Sequence, residues 1–98
     1  MRYEFNWDRK KAHINKIKHK VSFEDASTIF NDSNSLTIYD YEHRDEEDRW
    51  ITMGLDHKGK FIVLVHTFDD SNHEKISIRM ISARKATKKE IKTYGDRI

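Results

Sequence analysis

Ile76-Ser77-Ile78-Arg79-Met80-Ile81-Ser82-Ala83-Arg84-Lys85-Ala86 decides the fold, because it threads two arginines into an apolar strand and then enters a basic helix. A guanidinium is a costly strand residue unless its charge has a job. Directly after it, Thr87-Lys88-Lys89-Glu90 is a full capping box that starts a C-terminal helix. Upstream, Lys60 to Phe68 is apolar on both alternations, the pattern of a central strand. The turn His57-Lys58-Gly59 joins it to a strand-like run from Arg49 to Asp56, and Ser35 to Tyr39 supplies another. Residues 2–6 add a short N-terminal strand at most. Asp8 caps a helix running to about His19, with Trp7 and Ala12 spaced as a hydrophobic staple. Ser22 and Asp25 approximate a second cap, before Phe23, Ala26, Ile29 and Phe30 on one helical face. The expected architecture is α+β: two N-terminal helices, an antiparallel sheet of about four strands and a C-terminal helix.

The 98 residues make a single domain, 1–98, with little room for a second core. Cysteine is absent, so neither disulfides nor thiolate metal sites staple the fold. No apolar run approaches the roughly 20 residues of a spanning helix, and the N-terminal segment lacks a signal-peptide core. A soluble cytoplasmic protein without membrane contact is the expectation. The net charge of +2 conceals segregation: residues 1–23 sum to +5, residues 24–48 to −8 and the remainder to +5. Folding that brings the basic ends together creates a phosphate-attracting surface, while a wetted, solubilising surface accounts for the same charges equally well. Three scattered glycines provide no phosphate loop, and no element carries His, Asp and Glu at metal-ligand spacing. Ser82 lacks the setting of a nucleophile elbow. Neither a metal nor a cofactor is expected, which argues against a nucleotide-hydrolysing or zinc enzyme.

Several motifs follow one another in order: Phe5-Asn6-Trp7-Asp8, Lys18-His19, Val21-Ser22-Phe23, Glu47-x-Arg49-Trp50, Gly54, Val65-His66-Thr67, Arg79-x-Ile81-Ser82-Ala83-Arg84, Glu90 and Tyr94. Together they resemble the BrnT family of toxins over nearly the whole chain. Lys20 departs from the pattern, standing where the family usually turns through a glycine, and Asp69 to Glu74 lengthens the last hairpin. The resemblance implies a RelE-like fold and an endoribonuclease toxin of a type II toxin–antitoxin system, which cleaves RNA without metal and inhibits translation. It also implies a BrnA-type ribbon-helix-helix antitoxin, a heterotetramer with that partner, and contact with operator DNA only through the complex.

Metal-independent RNA cleavage needs a base for the 2′-hydroxyl, an acid for the leaving oxygen and cations at phosphorus. Arg79 and Arg84 suit the last role through their planar forks. Strict alternation would send them to opposite faces, unless the strand end frees Arg84 to act at the rim. The competing role for Arg79 is a salt bridge to the acidic middle, for example to Glu47. His66, late in the central strand, titrates near neutrality and is the leading proton-transfer candidate; a lone histidine there is more often structural. Glu47 and Arg49 share a face and complete or orient the site, leaving the base open among His66, Glu47 and Lys18. Lys11, Lys18, His19, Lys85, Lys88 and Lys89 are candidate RNA contacts. Tyr94 either stacks on a base or packs against the sheet. The rival function is a non-catalytic basic module that docks a partner or serves as co-repressor in a DNA-binding complex.

Overall fold

The computed structural model describes residues 2–96. Strands β1 (Arg2–Asn6), β2 (Leu36–Tyr39), β3 (Trp50–Leu55), β4 (Phe61–His66) and β5 (Lys75–Lys85) form a sheet of order β1-β5-β4-β3-β2. Helices α1 (Arg9–His19) and α2 (Phe23–Ser27) lie between β1 and β2, and α3 (Lys88–Asp96) follows β5. The sheet is therefore five-stranded and mixed rather than antiparallel with about four strands. β1 precedes both N-terminal helices and runs parallel to β5, with Tyr3 beside Ile76 and Phe5 beside Ile78. Five residues are too few for periodicity to reveal that pairing, which depends on Tyr3 and Phe5 sharing an apolar layer with β5.

The sheet has two unlike faces. On the first, Val21, Phe23, Ala26 and Ile29 from the α1–α2 region pack on Ile62, Leu64, Ile78, Met80 and Ala83. Full burial of Phe23, Ile29, Leu64 and Ile78 stabilises the fold by about 2 kcal/mol each. On the second face, α3 places Tyr94 against Met53 and Val63 and leaves Ile51, Val65 and Ser82 only half-buried. β4 is central in the strand order, as its two-sided apolar pattern requires. Gly59, at φ 80°, closes the β3–β4 turn, and the Asp56 carboxylate accepts from the N–H groups of Lys58 and Lys60 at 2.9 Å each.

Two local devices position the last strand. Across the β4–β5 ladder Val65 faces Ser82, but His66 faces Met80, so Ile81 is an extra residue on β5. Such a bulge shifts the alternation by one, and the buried residues run Ile78, Met80, Ala83 instead of keeping a spacing of two. The second device is Asn15. β1 ends where Asn6 pairs with Arg79, leaving the next edge of β5 without a strand neighbour. There the buried Asn15 amide accepts from the Ala83 N–H at 3.1 Å and donates to the Ala83 carbonyl at 2.9 Å, as a strand residue would. It also donates to the Val21 carbonyl at 3.1 Å, fixing the chain just after α1.

Asp8 and Ser22 cap α1 and α2 through the N–H groups of Lys11 and Asp25, at 3.0 Å each. Lys20 keeps the left-handed turn that ends α1, at φ 61°, without the glycine that adopts it freely. Lys20→Gly is therefore expected to stabilise the protein by about 1 kcal/mol in urea unfolding. Asn15→Ala is expected to cost about 3 kcal/mol, because buried backbone groups of Ala83 and Val21 lose their partners. Equal midpoints for wild type and Asn15→Ala would contradict the edge role of this amide.

Candidate active site

The bulge at Ile81 brings Arg79 and Arg84 onto one face, because five positions that include one extra residue restore the same side. β5 continues as strand through Lys85, so the predicted relief at the strand end occurs instead in its middle. Arg84 lies opposite Val63, and the Arg79 carbonyl accepts from the Thr67 N–H at 3.0 Å. At the usual rise per residue the two positions are about 13 Å apart along β5. With Arg79 tied to Glu47 and Arg84 to Glu90, the two guanidiniums occupy separate points of the face.

Each guanidinium is held by a carboxylate. Arg79 Nη2 donates to Glu47 Oε2 at 2.5 Å, and Glu47 Oε1 lies 3.6 Å from Arg49 Nε. Arg49 Nη2 reaches Glu46 at 3.3 Å, while its buried Nε makes no hydrogen bond. Arg79, Glu47 and Arg49 therefore form one cluster at one end of the open face. Arg84 makes a two-pronged contact with Glu90, Nη1 to Oε1 at 2.8 Å and Nη2 to Oε2 at 2.9 Å. Glu90 simultaneously closes the capping box of α3, accepting from the Thr87 N–H at 2.8 Å and donating its own N–H to Thr87 Oγ1 at 3.1 Å. The hydrogen bonds that Arg84 donates to Glu90 raise the guanidinium pKa above its ordinary value.

His66 does not join this group. It is fully buried on the opposite, helix-covered face, paired across the ladder with Met80 and packed edge-on against Phe30 at 5.2 Å. Its Nε2 is 2.7 Å from Thr52 Oγ1 and its Nδ1 is 2.8 Å from the Thr67 carbonyl, so both ring nitrogens are engaged. Burial lowers its pKa, favouring the neutral imidazole. The grouping of His66 with the arginines is corrected accordingly: the sheet itself stands between them. Tyr94 is likewise buried, edge-on to Phe61 at 5.1 Å, and its hydroxyl donates to Asp32 at 2.7 Å. Its ring is therefore committed to packing rather than free to stack on a base.

The predicted basic contacts divide into two sets. Lys11, Lys18 and His19 line a cleft of about 210 Å³ between α1 and the bulge, with Ile14, Ile81 and Ser82. Lys85 is exposed at the end of β5, and Lys88 and Lys89 are exposed in the first turn of α3. Sequence reasoning missed the pairing of Arg84 with Glu90 and the edge role of Asn15. The capping box gave Glu90 a role toward its own helix, but nothing in the spacing showed that a strand arginine would share it.

This architecture defines a small α+β protein whose sheet presents two carboxylate-paired arginines on one face, beside a basic helix. A family model described as the ribonuclease toxin BrnT of type II toxin–antitoxin systems matches residues 7–90, and the chain belongs to that family. Membership makes it a toxin of the ribonuclease type and implies an antitoxin partner. No curated protein matches significantly. Among solved structures, the crystal structure of the Brucella abortus ribonuclease toxin BrnT is similar at a TM-score of 0.59 and 22% identity, covering 90% of this chain and 99% of that one. At this identity the likeness is one of fold. No helix among the described residues is long and apolar enough to cross a membrane.

The Arg84 hydrogen bonds, opposed by burial and assisted by the Thr87 N–H, lower the Glu90 pKa from 4.5 to about 2. A value depressed in the folded state contributes stability above about pH 4.5, which is lost as pH falls toward 2. Glu90→Gln is expected to cost about 1 kcal/mol at neutral pH, after solvent screening, and to flatten the acid limb of thermal stability. An unchanged pH slope in melting experiments would contradict the assigned pair.

Proposed function

We propose that this toxin is a metal-independent endoribonuclease that binds RNA across the open sheet face. The observation that carries this reading is the alignment of Arg79 and Arg84 on one face, with Glu47 and Arg49 beside Arg79. A phosphate entering at Arg79 displaces Glu47 from the guanidinium, exchanging one anion for another at little electrostatic cost. The freed carboxylate then takes the proton of the 2′-hydroxyl while the 2′-oxygen attacks phosphorus. The P–O5′ bond breaks, the leaving oxygen receives a proton from solvent, and the products are a 2′,3′-cyclic phosphate and a 5′-hydroxyl. Arg79 and Arg49 stabilise the charge gathered on the phosphoryl oxygens. Arg84 holds a neighbouring phosphate, and Lys11, Lys18 and His19 extend the track past the bulge. Lys85, Lys88 and Lys89 add general attraction for RNA.

The sheet and its flanking helices support the RelE-like reading of the fold. By resemblance, the antitoxin is of BrnA type, joins the toxin in a heterotetramer and carries any contact with operator DNA. Inhibition of translation in the cytoplasm follows as the cellular role.

Arg79→Ala and Glu47→Gln should each lower cleavage of a single-stranded RNA at least about 100-fold, and Arg84→Ala about tenfold. Melting temperatures measured alongside confirm that the variants remain folded. Induced expression of wild type without antitoxin should arrest bacterial growth and fragment RNA. Arrest without fragmentation, or activity that declines only gradually as lysines are removed, would favour the non-catalytic binding module.

A further inference from the structure

The helix-covered face carries a second concave site, away from the arginines. Tyr3, Thr37, Trp50 and Phe68 wall a cleft of about 630 Å³, and Asp48 and Asp70 stand on its lining. Tyr3 is 45% and Phe68 38% exposed, and with Trp50 they bring three aromatic rings to one cleft. The walls are braced: Trp50 meets Tyr39 edge-on at 5.1 Å and lies 6.3 Å from Phe68. The Tyr39 hydroxyl donates to Asp48 Oδ1 at 2.7 Å, holding that carboxylate beside the rings. Among the described residues neither Asp48 nor Asp70 has an ion-pair partner. Asp48 also ends the segment 24–48, whose net charge is −8.

From this combination we infer that the cleft receives an arginine or lysine side chain from a basic segment of a partner protein. Aromatic faces attract a cation through their quadrupoles, and two unpaired carboxylates at the same place supply the opposite charge. A nucleobase would also stack on Trp50 or Phe68. Its phosphates, however, would meet Asp48, Asp70 and the acidic segment, whereas the basic surface suited to RNA lies on the other face and beside α1. The Trp50 that follows Glu47 and Arg49 in the sequence thus serves a different site from its neighbours. Alternation sends Arg49 to the open face and Trp50 to the helix-covered one.

The test is an NMR titration of the whole protein, following the Trp50 indole and the Phe68 and Thr37 amides. The probes are a short peptide alternating arginine and serine, its arginine-to-glutamine counterpart and a short single-stranded oligoribonucleotide. Saturable shifts with the arginine peptide alone are expected. In the Asp48→Asn, Asp70→Asn double variant, which keeps side-chain shape, affinity should fall about tenfold. That variant should cleave RNA as wild type does, so failure of this site and failure of the nuclease reading are separately visible. Absence of shifts, equal shifts with the glutamine peptide, preference for the oligoribonucleotide at these resonances, or unchanged affinity in the double variant would overturn the inference.

Discussion

Because Ile81 has no counterpart on β4, the side chains of β5 change faces between Met80 and Ser82, and the charge distribution of the sheet follows from that step. A strand without the bulge would turn either Arg79 or Arg84 into the layer filled by Phe23, Ile29 and Leu64. Burying an unpaired guanidinium there would cost several kcal/mol. The bulge lets one strand supply Ile78, Met80 and Ala83 to the core and both arginines to the opposite face. Asn15 secures the same stretch from the other side by occupying the edge that β1 leaves open. Strand irregularity and helix-borne amide therefore act at adjacent positions on one element.

The resting site is self-neutralised. Glu47 holds Arg79 and Glu90 holds Arg84, so the guanidiniums are oriented before any phosphate arrives. Oriented forks lose less side-chain entropy on binding than free ones. The two pairs differ in their ties to the fold. Glu90 is bound into the start of α3 through Thr87, whereas Glu47 belongs to the loop between β2 and β3 and is free of such a cap. On the proposed reading, exchange of carboxylate for phosphate is easier at Arg79, which assigns chemistry to that end of the face and holding to the Arg84 end.

Much of the fold was legible because its signals are local. Asp8, Ser22 and Thr87 cap helices where their spacing places them, and β4 is central as its two-sided apolar run requires. The parallel pairing of β1 was not legible, since partners 73 positions apart leave no local pattern. Nor was the bulge: an uninterrupted Met80-Ile81-Ser82 reads as ordinary strand, and only the opposite strand shows that one residue is extra. The site was read in part for the same reason. Glu47 and Arg49 stand two positions apart, and the acidic middle of the chain offers Glu47 as a salt-bridge partner for Arg79 in competition with phosphate. His66, by contrast, has the chemistry of a proton shuttle but the wrong side of the sheet. Its neighbours Thr52, Phe30 and Thr67 make it a core residue.

On the proposed reading, the bulge makes Arg79 and Arg84 parts of one RNA-binding face that excludes His66. The most direct measurement follows the guanidinium Nε–H resonances of both arginines and the ring resonances of His66 while a 2′-O-methyl, uncleavable single-stranded RNA is added. Arg79 and Arg84 should move together with a single saturation curve while His66 stays still. Movement of His66 with RNA, or of only one arginine, would contradict it.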